Sequence, residues 1–307
     1  MSSVAVTAQT AGKRAAQAAA KRRDRGSRAT RSAQRRPGTV TYVLLGIALL
    51  ISVFPLYFTL LLGSSDPVSI AQNAVPQWLP DASLFQQFGE VISSDTINFW
   101  KALANSVIIS VITAASVVLF STLAGYSFAK LNFRGRGPLL VFVIATMAVP
   151  TQLGVIPMYI LMTDLDWIGK LQAVIVPALV TAFGVFWMTQ YLSEALPYEL
   201  IEAARVDGAS MIRTFWSIAL PAARPAAAML GLFTFVQQWT NYFWPSIVLN
   251  QDNPTLPLVV RSLQSNYFVD YSLVMGGIFL VTLPLLVIFA FVGKQLVAGI
   301  MAGAVKG

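Results

Sequence analysis

Runs of about 20 mostly apolar residues recur along the chain, separated by short polar segments; this is the length a helix needs to cross a hydrocarbon core. Six such runs predict six transmembrane helices, at 40–62, 104–128, 138–161, 172–191, 224–248 and 272–293. Pro55, Pro150, Pro157, Pro177 and Pro284 fall inside them. Membrane helices tolerate proline where neighbouring helices or water satisfy the freed carbonyls. The fifth run is the least uniform, because QQWTN at 237–241 makes its outer half polar. The long 63–103 segment is more than a connector: LFQQFGEVI has an amphipathic helical rhythm, and FWKALANS is placed to pack at the interface before the second span. Trp78 and Trp100 read as interfacial anchors, with ligand stacking as the alternative.

Composition supports a membrane class. Hydrophobic residues make up 56% and charged residues 11% of the 307, against about 25% charged in a soluble domain. The expected fold is an all-α polytopic membrane protein. Without cysteine or histidine, the chain has no disulfide or thiolate chemistry, and it lacks the usual base near neutral pH and the usual zinc ligands.

Charge then orients the spans. Residues 1–39 hold ten of the 21 Lys and Arg, including KRRDR at 21–25, in an Ala/Ser/Gly background. That composition predicts a basic disordered tail able to touch anionic lipid heads, not a nucleic-acid binder. It also fits poorly with a cleaved signal, so the first span reads as an anchor. With this tail inside, Lys130, Arg134, Arg136, Arg205, Arg213, Arg224, Lys294 and Lys306 also lie inside. The outer segments keep only Lys101, Lys170 and Arg261, against Asp66, Asp81, Glu90, Asp95, Asp164, Asp166, Asp252 and Asp270. The positive-inside rule therefore places both termini in the cytoplasm and the 63–103 segment outside.

The connection before the fifth span is too defined for a plain loop. It contains EAARVDGASMIRTFWSIALP at 202–221. Pro197 suits the first helical turn, Glu199 complements the helix dipole, and Gly208 suits the position past the helix end, where positive φ is cheap. Ser210 caps a second short helix. Pro221 and Pro225 mark the approach to the next span, giving a helix-turn-helix lying across the membrane surface. Ala203 and Ala204 leave the first helix thin. Arg205 is spaced to pair with Glu202, and Asp207 can bind turn donors or a basic partner. A docking element and a helix packed only on its own bundle both fit these residues.

Polar groups inside apolar spans mark where solute would pass. They are Gln152 in the third span and Gln237, Gln238, Thr240 and Asn241 in the fifth, with Trp239 and Tyr242 able to stack on a sugar ring. Amides in lipid are unfavourable unless paired or wet, so interhelical packing or gating is the alternative to direct solute contact. Nucleotide chemistry is excluded from this chain. No G-x-x-x-x-G-K-[ST] loop occurs, and DWIGK at 166–170 has Asp164 where the first glycine would stand.

Glu202, Ala203, Ala204, Gly208, Ile218, Leu220 and Pro221, at fixed offsets, resemble the EAA signature of permease subunits in bacterial binding-protein-dependent ABC importers. AGYSFAKLNFRGR at 124–136, VPTQLGVIPMYILM at 149–162 and the terminal GAVKG are similar to the carbohydrate-importer branch, in particular the second permease of the maltose-transporter type. NPTLPLVVRSLQSNYFVDYS and GKQLVAGIMAGAVKG resemble actinobacterial permeases for cellobiose and related oligosaccharides. The resemblance covers the chain from about residue 40, a six-span permease domain over 40–307. It implies a type I importer permease fold in the bacterial cytoplasmic membrane, with a coupling loop at 192–223 and a cytoplasmic tail at 294–307.

By the same resemblance, Glu202, Ala203 and Ala204 contact an ATPase, with Arg205 and Asp207 beside them; Gly208 shapes the turn, and Leu220 and Pro221 anchor its return. Gly303, Ala304, Val305, Lys306 and Gly307 would reach the ATPase interface, with a solvated tail as the alternative. The implied partners are a second homologous permease, two copies of an ATPase that bind ATP and Mg, and an extracytoplasmic sugar-binding protein. No cofactor or metal is expected on this chain itself. Relatives often carry W-N-x-F-x-x-P where this chain has Trp239, Thr240, Tyr242 and Pro245, which leaves any role carried over to position 240 open. The implied function is a permease half of an ATP-driven di- or oligosaccharide importer, with cellobiose the sugar to which the actinobacterial resemblance points; a secondary sugar transporter or autonomous channel is the alternative.

Overall fold

The computed structural model describes residues 38–73, 75–94, 97–264 and 269–304. The basic tail up to residue 37 and Asp95 lie outside the described residues, as do Val305, Lys306 and Gly307. Every regular element among the described residues is helical. The chain divides into two units at Tyr57/Phe58. Helix α1, Thr39–Gly63, runs through this boundary; its residues from Val40 to Phe54 are exposed and mostly apolar, as suits a lipid-facing helix.

The second unit continues with α2, Pro67–Gln72, capped by the Asp66 carboxylate, which accepts from the Val68 and Ser69 N–H groups. The amphipathic segment expected after it forms α3, Ser83–Ser93, which buries Leu84, Gln87 and Val91. The second span is longer than its apolar run suggests. FWKALANS joins it as its first turns, making α4 the 32-residue helix Phe99–Lys130.

The third run is not one straight span. Helix α5, Arg136–Thr146, stops before Pro150; a single 3-10 turn at Thr151–Gly154 follows, then α6, Val155–Asp164. The two pieces meet at 89°. Pro150 disfavours helical geometry in the residue before it and donates no N–H, so the ladder ends there. Pro177 has a milder effect in the fourth run. It splits α7, Gln172–Ile175, from α8, Ala182–Ala195, whose Thr181 cap accepts from the Gly184 N–H at 3.1 Å.

The fifth span begins and ends earlier than its hydropathy indicates. After α9, Tyr198–Val206, and α10, Met211–Thr214, a π turn at Phe215–Ala219 leads directly into α11, Leu220–Trp239. The Leu220 N–H reaches back to the Phe215 carbonyl, five residues away. This wider turn places Pro221 within the first two positions of α11, where a missing donor costs little. At the far end α11 stops at Trp239, and a separate α12, Phe243–Val248, follows. Helix α13, Leu256–Leu263, leads to the last helix α14, Tyr271–Ala304, started by the Asp270 carboxylate accepting from Ser272 and Leu273. By length and apolarity five helices can cross a membrane, or six if the bent α5/α6 pair counts as one span. This is an all-α polytopic membrane protein.

Helix α4 is the hub of the second unit, packed against α8 and α11. Val117 and Tyr126 of α4 meet Met188 and Leu192 of α8, and Leu230 of α11, in one buried cluster. Small residues permit this approach: a Cβ on Gly125 would stand 2.6 Å from the Met188 Cβ and 2.7 Å from its carbonyl carbon. A second cluster joins α14 to Val91 of α3, Trp239 of α11 and Val259 of α13. Gly63 lies so close to α14 that an added Cβ would be 2.7 Å from the Gly276 nitrogen.

Candidate functional site

The 197–221 connection is built as a hydrogen-bonded corner. Pro197 caps α9 in extended geometry, with Glu199 in the first turn. At the other end the Asp207 N–H bonds the Ala203 carbonyl at 3.0 Å, and Ala209 reaches Ala204 at 2.9 Å. Gly208 sits between them at φ +74°, the left-handed conformation its sequence position predicts. The Ser210 hydroxyl accepts from the Arg213 N–H at 3.2 Å and starts α10.

The corner has two different faces. Ile201 and Ala204 are buried, and Ile201 joins the cluster of Met188, Leu192 and Phe215. Glu202, Ala203, Arg205, Val206 and Asp207 are exposed, with Val206 88% accessible. Met211 and Ile212 extend this outer surface at 58% and 72%. Of the alanine pair, Ala203 alone is exposed, since Ala204 turns into the core. Among the described residues no ion pair joins Glu202 to Arg205. Leu220 packs against the same core cluster, and Pro221 is half-buried beside it. The π turn was missed by reasoning from sequence. Its available signal is Pro221 inside a helical run, which requires a local change of register.

The polar residues of the spans sort into three places. Gln152, Gln238 and Asn241 line one recess of about 350 Å³, together with Thr151, Met158 and Trp244. The amides of Asn241 and Gln238 are 3.5 Å apart, a weak link. Gln237 lines a neighbouring recess of about 680 Å³ with Thr146, Thr181, Thr234, Phe183 and Phe233. Thr151 and Pro177 border both recesses. Neither has a charged residue in its lining.

Trp239 belongs elsewhere. It is 2% exposed, stacks on Phe235 at 5.6 Å, and donates from Nε1 to the Val281 carbonyl. With Thr240 and Tyr242 it borders a third, smaller recess against α13 and α14. The five-residue polar stretch therefore does not line one recess: Gln238 and Asn241 face one, Trp239 and Thr240 another. Gly303 and Ala304 fall on the backbone of α14.

Residues 118–298, which include the corner and both amide-lined recesses, match the family described as binding-protein-dependent transport system inner membrane component. The chain belongs to this family. It is 30% identical to the arabinooligosaccharides transport system permease protein AraQ of Halalkalibacterium halodurans, over 84% of this chain and 92% of that one. Identity to the lactose transport system permease protein LacG of Rhizobium radiobacter is 34%, over 89% of this chain and 98% of that one. A solved bacterial ABC transporter involved in the import of the acidic polysaccharide alginate has the same fold, with a TM-score of 0.69 at 24% identity; the match covers 83% of this chain and 94% of that one. Like other members of the family, this permease is a multi-pass, non-catalytic subunit of an ABC transporter, whose ATPase activity resides in a separate protein.

Proposed function

We propose that this permease forms half of the translocation pathway of an ATP-driven importer for a neutral di- or oligosaccharide, and that its 197–221 corner couples the ATPase to the spans. The observation that carries this reading is the two-faced corner: Ile201 is fixed in the α4/α8 core, while Glu202, Ala203, Val206 and Ile212 face outward. A partner bound to the outer face moves the core through the inner one. The full coupling set is Glu202, Ala203, Ala204, Arg205, Asp207 and Gly208, with Leu220 and Pro221 anchoring the return.

The pathway is assigned to the two recesses bearing Gln152, Gln237, Gln238 and Asn241. Hydroxyls, amides and aromatic rings without charge suit a neutral sugar, which needs donors and acceptors but no counter-ion. The relatives named for arabinooligosaccharide and lactose transport support the same class; cellobiose is the first sugar to test. The complete machine has a second homologous permease, two ATPase subunits holding ATP and Mg, and an extracytoplasmic sugar-binding protein. Both termini and the corner are assigned to the cytoplasm of a bacterial cell, an orientation that the basic-residue distribution supports. The ATPase-contacting tail is assigned to residues 303–307 on the resemblance of GAVKG to the family's terminal segment.

Glu202→Gln tests the coupling assignment. Co-purification of the ATPase, or sugar-stimulated ATP turnover in its presence, is expected to fall while membrane insertion is retained. Wild-type values for both count against the assignment.

A further inference from the structure

Lys130 is a cation at the end of a transmembrane helix, yet only 5% of it is exposed. It is the last residue of α4, and its Nζ donates to the Ser193 carbonyl of α8 at 2.9 Å. The same Nζ stands 4.4 Å from the ring centre of Tyr198, the first residue of α9. Among the described residues no carboxylate forms an ion pair with it. The Ser193 carbonyl and the Tyr198 ring face hold this charge instead.

The sequence explains why the site needs a donor. In a continuing helix, Ser193 would receive its hydrogen bond from residue 197, which is Pro197 and has no N–H. Lys130 supplies the missing donor. The reciprocal contact is made by Tyr198, whose hydroxyl donates to the Ala129 carbonyl at the end of α4 at 3.1 Å. Arg136 reaches that same carbonyl at 3.3 Å. One crossed pair thus satisfies orphan carbonyls at the ends of two spans and binds both to the start of α9.

We infer that Lys130 is a positioning residue, which with Tyr198 locks the start of α9 to α4 and α8 so that the three elements move together. Only Leu196 and Pro197 separate α8 from α9 along the chain. Lys130 adds a second connection, from a helix more than 60 residues away in sequence. The inference deepens the coupling reading of the corner and rests on it for its consequence: displacement of α9 is delivered to two spans at once.

The test uses the assembled transporter in lipid nanodiscs, carrying Lys130→Met or Lys130→Arg. Amide hydrogen exchange across 198–206 is read beside sugar uptake per ATP hydrolysed. Methionine keeps most of the length and removes the charge; exchange across 198–206 is expected to rise about tenfold or more, because a charged hydrogen bond and a ring contact are lost together. Uptake per ATP falls with it. Arginine, which can both stack on the ring and donate, restores both quantities. Unchanged exchange at 198–206 in Lys130→Met overturns the inference, as does an equal rise throughout the chain, which marks a merely structural role. A local rise with uptake per ATP intact upholds the positioning and overturns the coupling reading instead. If Lys130→Met does not assemble, Tyr198→Phe removes only the hydroxyl bond to Ala129. A smaller local rise is then expected, and no rise refutes the lock.

Discussion

The Trp239 indole Nε1 donates to the main-chain carbonyl of Val281 at 3.2 Å, joining the end of α11 to the middle of α14. The ring is buried between Phe235 and the α13/α14 cluster, so its polar edge is spent on a neighbouring helix and its faces are covered. Trp239→Phe is therefore expected to lower thermal stability of the assembled complex, by about 1 kcal/mol on the scale of interhelical hydrogen bonds in membranes. Sugar uptake per assembled complex should stay near wild type. Thermal denaturation beside normalised uptake checks this, and a selective loss of uptake would return Trp239 to the pathway.

Gly125 is the contact on which the α4/α8 pairing turns. Its replacement by alanine puts a methyl group against the Met188 Cβ and the 188–189 backbone, with no flexible side-chain end to give way. A cost of about 1–3 kcal/mol is expected, as for other overpacked cores. Gly137→Ala in α5 is the control, because nothing lies within 4 Å of the added atom. The yield of monodisperse complex should drop for the first variant and hold for the second.

Gly208→Pro should stop transport while leaving the complex assembled. Proline cannot adopt φ +74°, and it removes the N–H that bonds the Arg205 carbonyl at 3.0 Å. Ala209→Ser, one position later, should transport normally. Equal uptake by the two variants at equal membrane abundance would contradict the assignment of the corner.

How much of this was legible in the chain depends on the range of the interaction. The apolar runs and the corner's caps are local, so Gly208 and Ser210 could be assigned from their neighbours alone. Pro150 was visible too, but a sharp bend and a tolerated kink look the same in sequence, because the outcome depends on what the neighbouring helices satisfy. The π turn escaped notice, since hydropathy does not register a one-residue change of pitch. Polarity brought Gln237 to Tyr242 together as one patch, whereas rotation around α11 and the break at Thr240 distribute them among separate recesses. Lys130 counted only as an inside charge; its burial required knowing that Ser193 and Tyr198 converge on it.

The recess gives the sharpest test of solute contact. Gln238→Leu keeps the bulk of the side chain and removes a donor and an acceptor from a lining that holds few. Uptake is expected to fall more than complex abundance, with ATP turnover persisting in the presence of loaded binding protein. Reduced abundance with normal turnover per complex would identify Gln238 as a packing residue.

This permease is proposed to move a neutral sugar only as part of an ATP-driven complex. The most direct measurement is uptake of a labelled disaccharide, cellobiose first, into proteoliposomes holding this chain and its second permease, with or without the ATPase subunits. Binding protein is supplied on one side and ATP with Mg on the other. The expected result is accumulation only when ATPase and ATP are both present. Accumulation by this chain without any ATPase, driven by an ion gradient, would contradict it.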